Sequence, residues 1–167
     1  PSLGELVLSG TRSAVLEDGR IAYVDLDLTV GGHPVRGARV FARFNSGRMI
    51  QLGTELLGGT PDPSTPALSV AEAEQALFEY LGGRSELDTP HGEPELFYKP
   101  VRGADGSLRY RLIYEISFRR VGESPTWTAH VAANDGEIVE FFDGNHYGEV
   151  TGGVYKATVD REGRHET

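Results

Sequence analysis

Two aspartates on one expected strand are the first candidates for chemistry in this sequence. Asp25 and Asp27 lie two residues apart in a segment that alternates like a β-strand, so their side chains share one face, about 7 Å apart. Paired carboxylates at such a distance can serve as general acid and base. No histidine or lysine adjoins them to adjust their pKa values, and we interpret the pair as part of a solvated strand face.

The histidines do not form a metal-binding pattern. His165-Glu166 begins like the zinc motif H-E-x-x-H, but the sequence given ends at Thr167, before a second histidine. The others are too far apart for a ligand pair on one helix. We therefore predict no metal ligands, and loop or strand-edge positions, for the five histidines: His33, His91, His130, His146 and His165.

Motifs for nucleophilic catalysis and phosphate binding are missing as well. The sequence contains no cysteine and no G-x-S-x-G elbow, which excludes thiol catalysis and the usual serine nucleophile. Its glycine pairs, at 31–32, 58–59, 82–83 and 152–153, lack the context of a phosphate-binding loop, so we interpret them as turns and a helix end. We expect no catalytic residues, no cofactor and no enzyme activity in this chain.

Charge and length restrict the partners of the chain. Its 167 residues carry 16 basic and 25 acidic side chains, a net charge of −9, which repels nucleic acids and anionic lipid surfaces. No apolar run is long enough to span a bilayer. We expect a monomer of one compact domain or two small halves, with no nucleic-acid partner and no membrane insertion.

The first part of the chain has the pattern of an antiparallel sheet. Apolar residues alternate from Ala22 to Val30, and again from Ala38 to Phe44 after a turn at Gly31-Gly32. A second turn, Asn45-Ser46-Gly47, leads into a strand that begins at Arg48. Residues 58–66 then collect turn formers and three prolines, which predicts an exposed connector between two halves.

The second part begins with a helix and continues as strands. Ser69 and Glu72 form a capping box, and helical periodicity extends over Ser69–Leu81. Alternation over Leu108–Arg119 predicts the longest strand, paired with Glu95–Lys99 and Thr126–Ala132. We expect the aromatic residues of these strands to be core side chains and not base-stacking platforms; they are Tyr110, Tyr114, Phe118 and Trp127.

Two motifs resemble known families. The run Gly32-His33-Pro34-Val35-Arg36-Gly37-Ala38, followed by a strand, a glycine turn and a strand, resembles the propeptide module of fungalysin-type and thermolysin-type proteases. The hairpin V-A-A-N-D-G-E-I at 131–138 is similar to the PepSY motif V-D-A-x-T-G-E-I, with matches at Val131, Ala133, Gly136, Glu137 and Ile138. Together the resemblances span residues 20–143, in the order found ahead of the catalytic domain of secreted zinc metalloproteases.

The resemblances imply a fold and a division of the chain. The implied fold class is α+β, with two similar halves that each pack an antiparallel sheet against a helix, as in cystatin-like and PepSY-like folds. The implied segments are a propeptide-type subdomain (1–57), a connector (58–68), a PepSY-like subdomain (69–143) and a linker toward a following domain (144–167).

They also imply a function, with the catalytic domain of a zinc metalloprotease as partner in cis. The chain would be a non-catalytic propeptide that assists the folding of this domain and inhibits it until cleavage, in a secreted, periplasmic or cell-envelope setting. Contacts to the enzyme would come from the last segment, through His146, Tyr147 and Glu149, because a histidine or carboxylate there could approach its zinc. A flexible tail without such contacts is the alternative for this segment. A stand-alone binding module with a PepSY-like fold and a small ligand-binding α+β cone remain alternatives.

Overall fold

The computed structural model describes residues 4–145, 158–159 and 165–166. The strands of the described residues are β1 (Glu5–Leu8), β2 (Ala14–Leu16), β3 (Ile21–Val30), β4 (His33–Asn45), β5 (Arg48–Glu55), β6 (Thr60–Pro61), β7 (Asp88–Pro90), β8 (Glu95–Arg102), β9 (Leu108–Arg120), β10 (Thr126–Ala132), β11 (Ile138–Asp143), β12 (Thr158–Val159) and β13 (His165–Glu166). The helix α1 spans Val70–Tyr80. The first eleven strands form one mixed sheet, and β12 and β13 pair separately.

Strands β1 to β5 form one end of this sheet. Glycines with positive φ, Gly31 at 56° and Gly32 at 84°, make the turn that lets β4 fold back antiparallel to β3. Ser46 and Gly47 also have positive φ and form the two-residue turn between Asn45 and Arg48, which is the conformation that matches the twist of a hairpin. Strands β1 and β2 pair with the outer side of β3.

The other end of the sheet is arranged as the sequence predicts. Strand β9 pairs antiparallel with β8 on one side and with β10 on the other, and β10 continues into β11 through a hairpin. Helix α1 has the predicted capping box, because the Ser69 hydroxyl accepts from the Glu72 amide while the Glu72 carboxylate accepts from the Ser69 amide. These predictions are confirmed.

The main core lies between α1 and one face of strands β8 to β11. Ala73 and Leu77 of the helix are completely buried against the sheet. On the sheet side, the alternation in β9 directs Tyr110, Leu112, Tyr114, Ile116 and Phe118 into this core. The predicted core role of the aromatic residues is therefore confirmed for Tyr110, Tyr114 and Phe118, while Trp127 is half-buried at the edge of the core.

Strand β4 makes the two ends one sheet, and the predicted α+β fold of two similar halves is wrong. Val35 at the start of β4 pairs in parallel with Tyr98 of β8, and both side chains are buried. Overall, 54% of the structure is strand and 10% is helix. The residues described before position 57 alternate like strands and form only a single 3-10 turn, Glu17–Gly19, so no second helix exists to complete a first half.

The connector is less exposed than its prolines suggest. Thr60 and Pro61 form a short parallel pairing with β9. The Asp62 amide donates to the carbonyl of Tyr110, and the Tyr98 hydroxyl donates to the carbonyl of Asp62 at 2.8 Å. The segment is therefore fastened to the sheet that it crosses. Among the described residues, no helix has the length and apolar composition to cross a membrane.

The position of Leu112 predicts a large loss of stability on truncation. Leu112 is 0% exposed in the core beneath α1, and Leu112→Ala should lower the free energy of unfolding by about 2–5 kcal/mol. Leu87 is 51% exposed, so the matched variant Leu87→Ala should change it by no more than about 0.5 kcal/mol. Urea titration of both variants measures the difference, and equal effects would contradict the assigned core face.

Candidate functional site

The sheet face opposite α1 carries charged side chains and is the part of the structure richest in candidate chemistry. We call it the charged face. Its strands β8 to β11 alternate between the helix-covered core and this side, so residues paired across the strands point outward together. The side chains on this part of the charged face are Glu95, Phe97, Lys99, Arg111, Ile113, Glu115, His130, Ala132 and Glu140, joined by Arg36 from β4.

His130 lies at the centre of this group and is 7% exposed. Its Nε2 is 2.9 Å from Glu115 Oε2, and its Nδ1 is 3.2 Å from Lys99 Nζ and 3.1 Å from Glu140 Oε2. With the ring proton on Nε2, Nε2 donates to Glu115 and Nδ1 accepts from Lys99, whose ammonium also pairs with Glu140, so Nδ1 and Glu140 Oε2 are two acceptors beside one donor. Both ring nitrogens are thus occupied, and neither is directed at an open substrate position.

The carboxylates beside His130 are held in their charged form. A hydrogen bond from Arg36 is the main cause that lowers the pKa of Glu115, and His130 contributes a further one. A hydrogen bond from Lys99 likewise lowers the pKa of Glu140, whose Oε2 is 2.5 Å from Lys99 Nζ. Each of these carboxylates is therefore paired with a cationic side chain from another strand, which favours a fixed structural network over a free acid or base.

Beneath the charged side chains lies a small second core. Phe97, Ile113 and Ala132 are all at least 98% buried, although they point away from α1. The Arg36 guanidinium lies 3.5 Å from the centre of the Phe97 ring, a cation–π contact. Long charged side chains thus cover apolar atoms with their stems while their ends remain paired.

Asp25 lies on the same charged face, toward the other end of the sheet, and its predicted solvated position is wrong. Its carboxylate is completely buried, with one oxygen 2.6 Å from Arg39 and the other 2.6 Å from Arg43. Its amide donates to the hydroxyl of Ser13 at 3.0 Å. The hydrogen bond from Arg43 is the main cause that lowers the pKa of Asp25, and the bond from Arg39 adds to it.

The second aspartate of the predicted pair has a separate partner. Asp27 is half-buried and forms an ion pair with Arg12. Each carboxylate is thus neutralised by its own arginines, and the two do not share a proton or a substrate position. A catalytic role for the pair has no support in this geometry.

Sequence reasoning missed these arginine partners because they are distant in the chain. No histidine or lysine adjoins Asp25 in sequence, and Arg39 and Arg43 follow it by 14 and 18 residues. The turn at Gly31-Gly32 pairs Val30 with His33, but a register shift between Asp27 and Thr29 pairs Asp25 with Phe41, and this shifted register places Arg39 and Arg43 diagonally across from the carboxylate. The turn alone would place Ala38 opposite Asp25, so the sequence pattern does not indicate the two arginines.

The remaining predicted site residues do not converge. His33 begins β4, with its ring centre 6.4 Å from that of Tyr98, and His91 is an exposed residue that follows β7. His146, Tyr147 and Glu149 lie outside the described residues. Within the described part of the chain, no group of three or more histidine or acidic side chains could hold a metal ion.

The end of β11 is fastened firmly to the sheet. The Asp143 carboxylate accepts hydrogen bonds from the amides of Thr126 and Asn145, and the Gly144 amide donates to the carbonyl of Thr126 at 2.7 Å. The Asn145 side chain donates to the carbonyl of Ser124. The described part of this end of the sheet therefore stops at a defined point, residues 143–145, which we call the exit, and the three predicted partner contacts begin directly after it.

The face of β1 to β5 that continues the helix-covered side is apolar, and no helix of the described residues lies over it. We call it the open apolar face. Cross-strand pairing places these side chains together: Leu6, Leu8, Val15, Ala22, Val24, Leu26, Val40, Ala42, Phe44, Met49 and Leu52. None is classed as buried, and Leu8, Val15 and Leu52 are 61%, 69% and 63% exposed. These side chains make this face a candidate interaction surface.

An apolar groove joins the open apolar face to the core beneath α1. Its volume is about 590 Å³, and its walls include Leu6, Leu28, Leu57, Pro61 and Tyr110. The Tyr110 hydroxyl is already used, because it donates to the carbonyl of Leu56 at 2.7 Å. The groove therefore offers apolar contacts to a small ligand, but the Tyr110 hydroxyl has no free proton to donate to it.

Comparisons with known proteins assign no family. No family model matches the chain, and no curated protein matches it. Among solved structures, it is similar to the Bacillus megaterium YpeB C-terminal domain, with 16% identity and a TM-score of 0.40, over 83% of this chain and 56% of that one. The chain thus spans little more than half of that chain's length, and we base no assignment on a similarity of this level.

The buried ion pairs of Asp25 predict a pH-dependent stability. Folding lowers the pKa of Asp25 below its ordinary value of 3.8, so the unfolded chain binds the proton at a higher pH than the folded chain does. The stabilisation that the charged carboxylate gives to the fold is therefore lost as the pH falls below about 4. Asp25→Asn should therefore lower the free energy of unfolding by about 1–3 kcal/mol at neutral pH. The difference in free energy of unfolding between Asp25→Asn and wild type should be smaller near pH 3 than at neutral pH, as measured by urea titration.

A matched control uses an exposed aspartate. Asp18 lies in the 3-10 turn with a positive φ that asparagine also tolerates, and it is exposed. Asp18→Asn should change the free energy of unfolding by no more than about 0.5 kcal/mol at either pH. If wild type and Asp25→Asn differ in free energy of unfolding by the same amount at both pH values, Asp25 is not charged in the folded protein.

Proposed function

We propose that the chain is the non-catalytic propeptide of a secreted zinc metalloprotease, which assists folding of the adjoining catalytic domain and inhibits it until the junction is cut. The observation that carries this proposal is that four hydrogen bonds fix the exit, Asp143–Asn145, at the end of β11. The segment with His146, Tyr147 and Glu149 follows this fixed point directly in the sequence. The two motif resemblances supply the identity of the partner.

The exit has a direct energetic consequence for inhibition. A segment joined covalently to a fixed point of a folded domain meets a neighbouring cleft at a high effective concentration, of millimolar order for a short linker. Even a weak contact is then nearly saturated before cleavage. After cleavage the advantage is lost, so release follows from the cut without any change in the contact itself.

The charged face is consistent with a scaffold rather than an enzyme. The groups best suited to acid–base chemistry, Asp25 and His130, have their hydrogen-bonding atoms engaged by other side chains of the fold. Among the described residues, no buried side-chain polar atom lacks a hydrogen-bond partner. Chemistry in the precursor would therefore belong to the catalytic domain, with the histidine and carboxylate of residues 146–149 approaching its zinc.

A second candidate function is a stand-alone protein-binding module of the cell envelope, and the open apolar face favours it. That face is unlike the expected surface of a domain that works only through its last segment. The coding sequence after residue 167 separates the candidates: H-E-x-x-H with a downstream glutamate supports the propeptide, and a continuation without a zinc motif supports the module.

Inhibition assays test the role of the segment after Asn145. Residues 1–167 should inhibit the catalytic domain encoded downstream, and residues 1–145, which keep all four hydrogen bonds of the exit, should inhibit it at least about tenfold more weakly. His146→Ala and Glu149→Gln in the full chain should each weaken inhibition if they contact the zinc site.

Two outcomes would count against this assignment. Equal inhibition by both lengths would place the contact on the folded sheet and remove any role for the last segment. No inhibition by either length up to millimolar concentration, which is the effective concentration of the joined segment, would contradict inhibition by this chain and favour the binding module.

A further inference from the structure

We propose that two copies of the free chain pair through their open apolar faces, as a closed dimer with two-fold symmetry. This inference goes beyond the protease partnership and does not depend on it. It departs from the monomer expected from the sequence. The observations that carry the proposal are the missing layer over β1 to β5, the charge of this region and the size of the face.

The missing layer is a matter of sheet architecture. A sheet with one apolar face needs a second layer over that face, and α1 supplies it for the strands β8 to β11. Over β1 to β5, no element within residues 4–145 covers the same side of the sheet, and the outer strands β1, β2 and β5 are the most exposed. A second sheet of the same kind is a suitable cover, because two apolar sheet faces pack about 10 Å apart with interdigitated side chains.

The charge distribution removes the main objection to self-association. The net charge of −9 belongs entirely to residues 58–167, which have ten basic and nineteen acidic side chains. Residues 1–57 have six of each and are neutral overall. Two copies that meet through their β1 to β5 ends therefore bring neutral regions together and keep the acidic regions apart.

The size of the face is near the lower limit for a specific dimer. Four strand rows at about 4.8 Å spacing and about eight residues at 3.3 Å per residue give a face of roughly 19 by 26 Å. Each copy would thus cover about 500 Å², and the interface about 1,000 Å² in total, the minimum expected of a biological contact. An interface of this minimum size is typical of a weak, reversible dimer.

Other occupants are less suited to the face. Residues 146–167 of the same chain contain only three valines, two tyrosines and one alanine as apolar residues, too few to match eleven apolar side chains. A closed dimer also uses the same surface on both copies, so it leaves no second apolar face for further growth. If the occupant were an unrelated protein, the apolar face would remain exposed to water whenever the chain is purified without that protein.

The experiment measures the mass of the purified chain by sedimentation and by light scattering. From about 1 µM to about 200 µM, the wild-type mass should rise from 18.1 kDa toward twice that value. Leu52→Glu on β5 and Leu8→Glu on β1 place a charge on the open apolar face at sites already 63% and 61% exposed, so the fold should tolerate both. Each should weaken the dimer at least about tenfold.

A leucine outside the face provides the control. Leu87 is 51% exposed in the loop before β7, and Leu87→Glu introduces the same charge and should leave the dimer unchanged. Circular dichroism and thermal unfolding of all three variants check that they are folded, and either face variant that folds is sufficient for the test. The expected pattern is loss of the dimer in the face variants only.

Three results would overturn the proposal. If the wild-type chain stays monomeric over the whole concentration range, a second copy does not bind the open apolar face. A dimer that survives both face variants would have its contact elsewhere. Assemblies larger than a dimer would exclude a closed two-fold contact. None of these results bears on protease inhibition, so the two proposals can fail separately.

Discussion

The parallel pairing of Val35 with Tyr98 is the contact on which the arrangement of the molecule depends. It lets β4 hold the strands of the first part of the chain on one side and the helix-covered strands on the other, so both belong to one sheet. One sheet has two faces along its whole length, and in this chain one face is charged and the other apolar. A single helix of eleven residues can cover only part of the apolar side.

On the charged face, paired charged side chains cover the sheet in place of a helix. Carboxylates such as Asp25 and Glu115 are surrounded by arginines from neighbouring strands, and apolar atoms are buried under the stems of these side chains. A buried ion pair often adds little net stability over an apolar pair, but removing one partner is costly. Such pairs therefore disfavour shifted strand registers, in which Asp25 would lose both of its arginines. This role needs no substrate.

Local periodicity predicted the elements well and their assembly only in part. The alternation around Leu112 identified β9, its neighbours and its buried face, and the Ser69–Glu72 capping box placed the start of α1. The connection through Val35 could not be read in the same way, because a single parallel pair between distant strands leaves no periodic signal. The solvated interpretation of Asp25 failed for a related reason, since its arginine partners lie across a hairpin whose register had to be worked out first.

The exit at Asp143 and the open apolar face lie at opposite ends of the sheet. Strands β8, β9 and β10 separate β11 from the five strands of the open face, a distance of about 15–20 Å at normal strand spacing. A second copy on the open face would therefore leave the exit accessible, and a protein held by the segment after Asn145 need not touch that face. One sheet can thus carry two independent contacts, because one contact uses the open apolar face and the other uses the segment that follows Asn145.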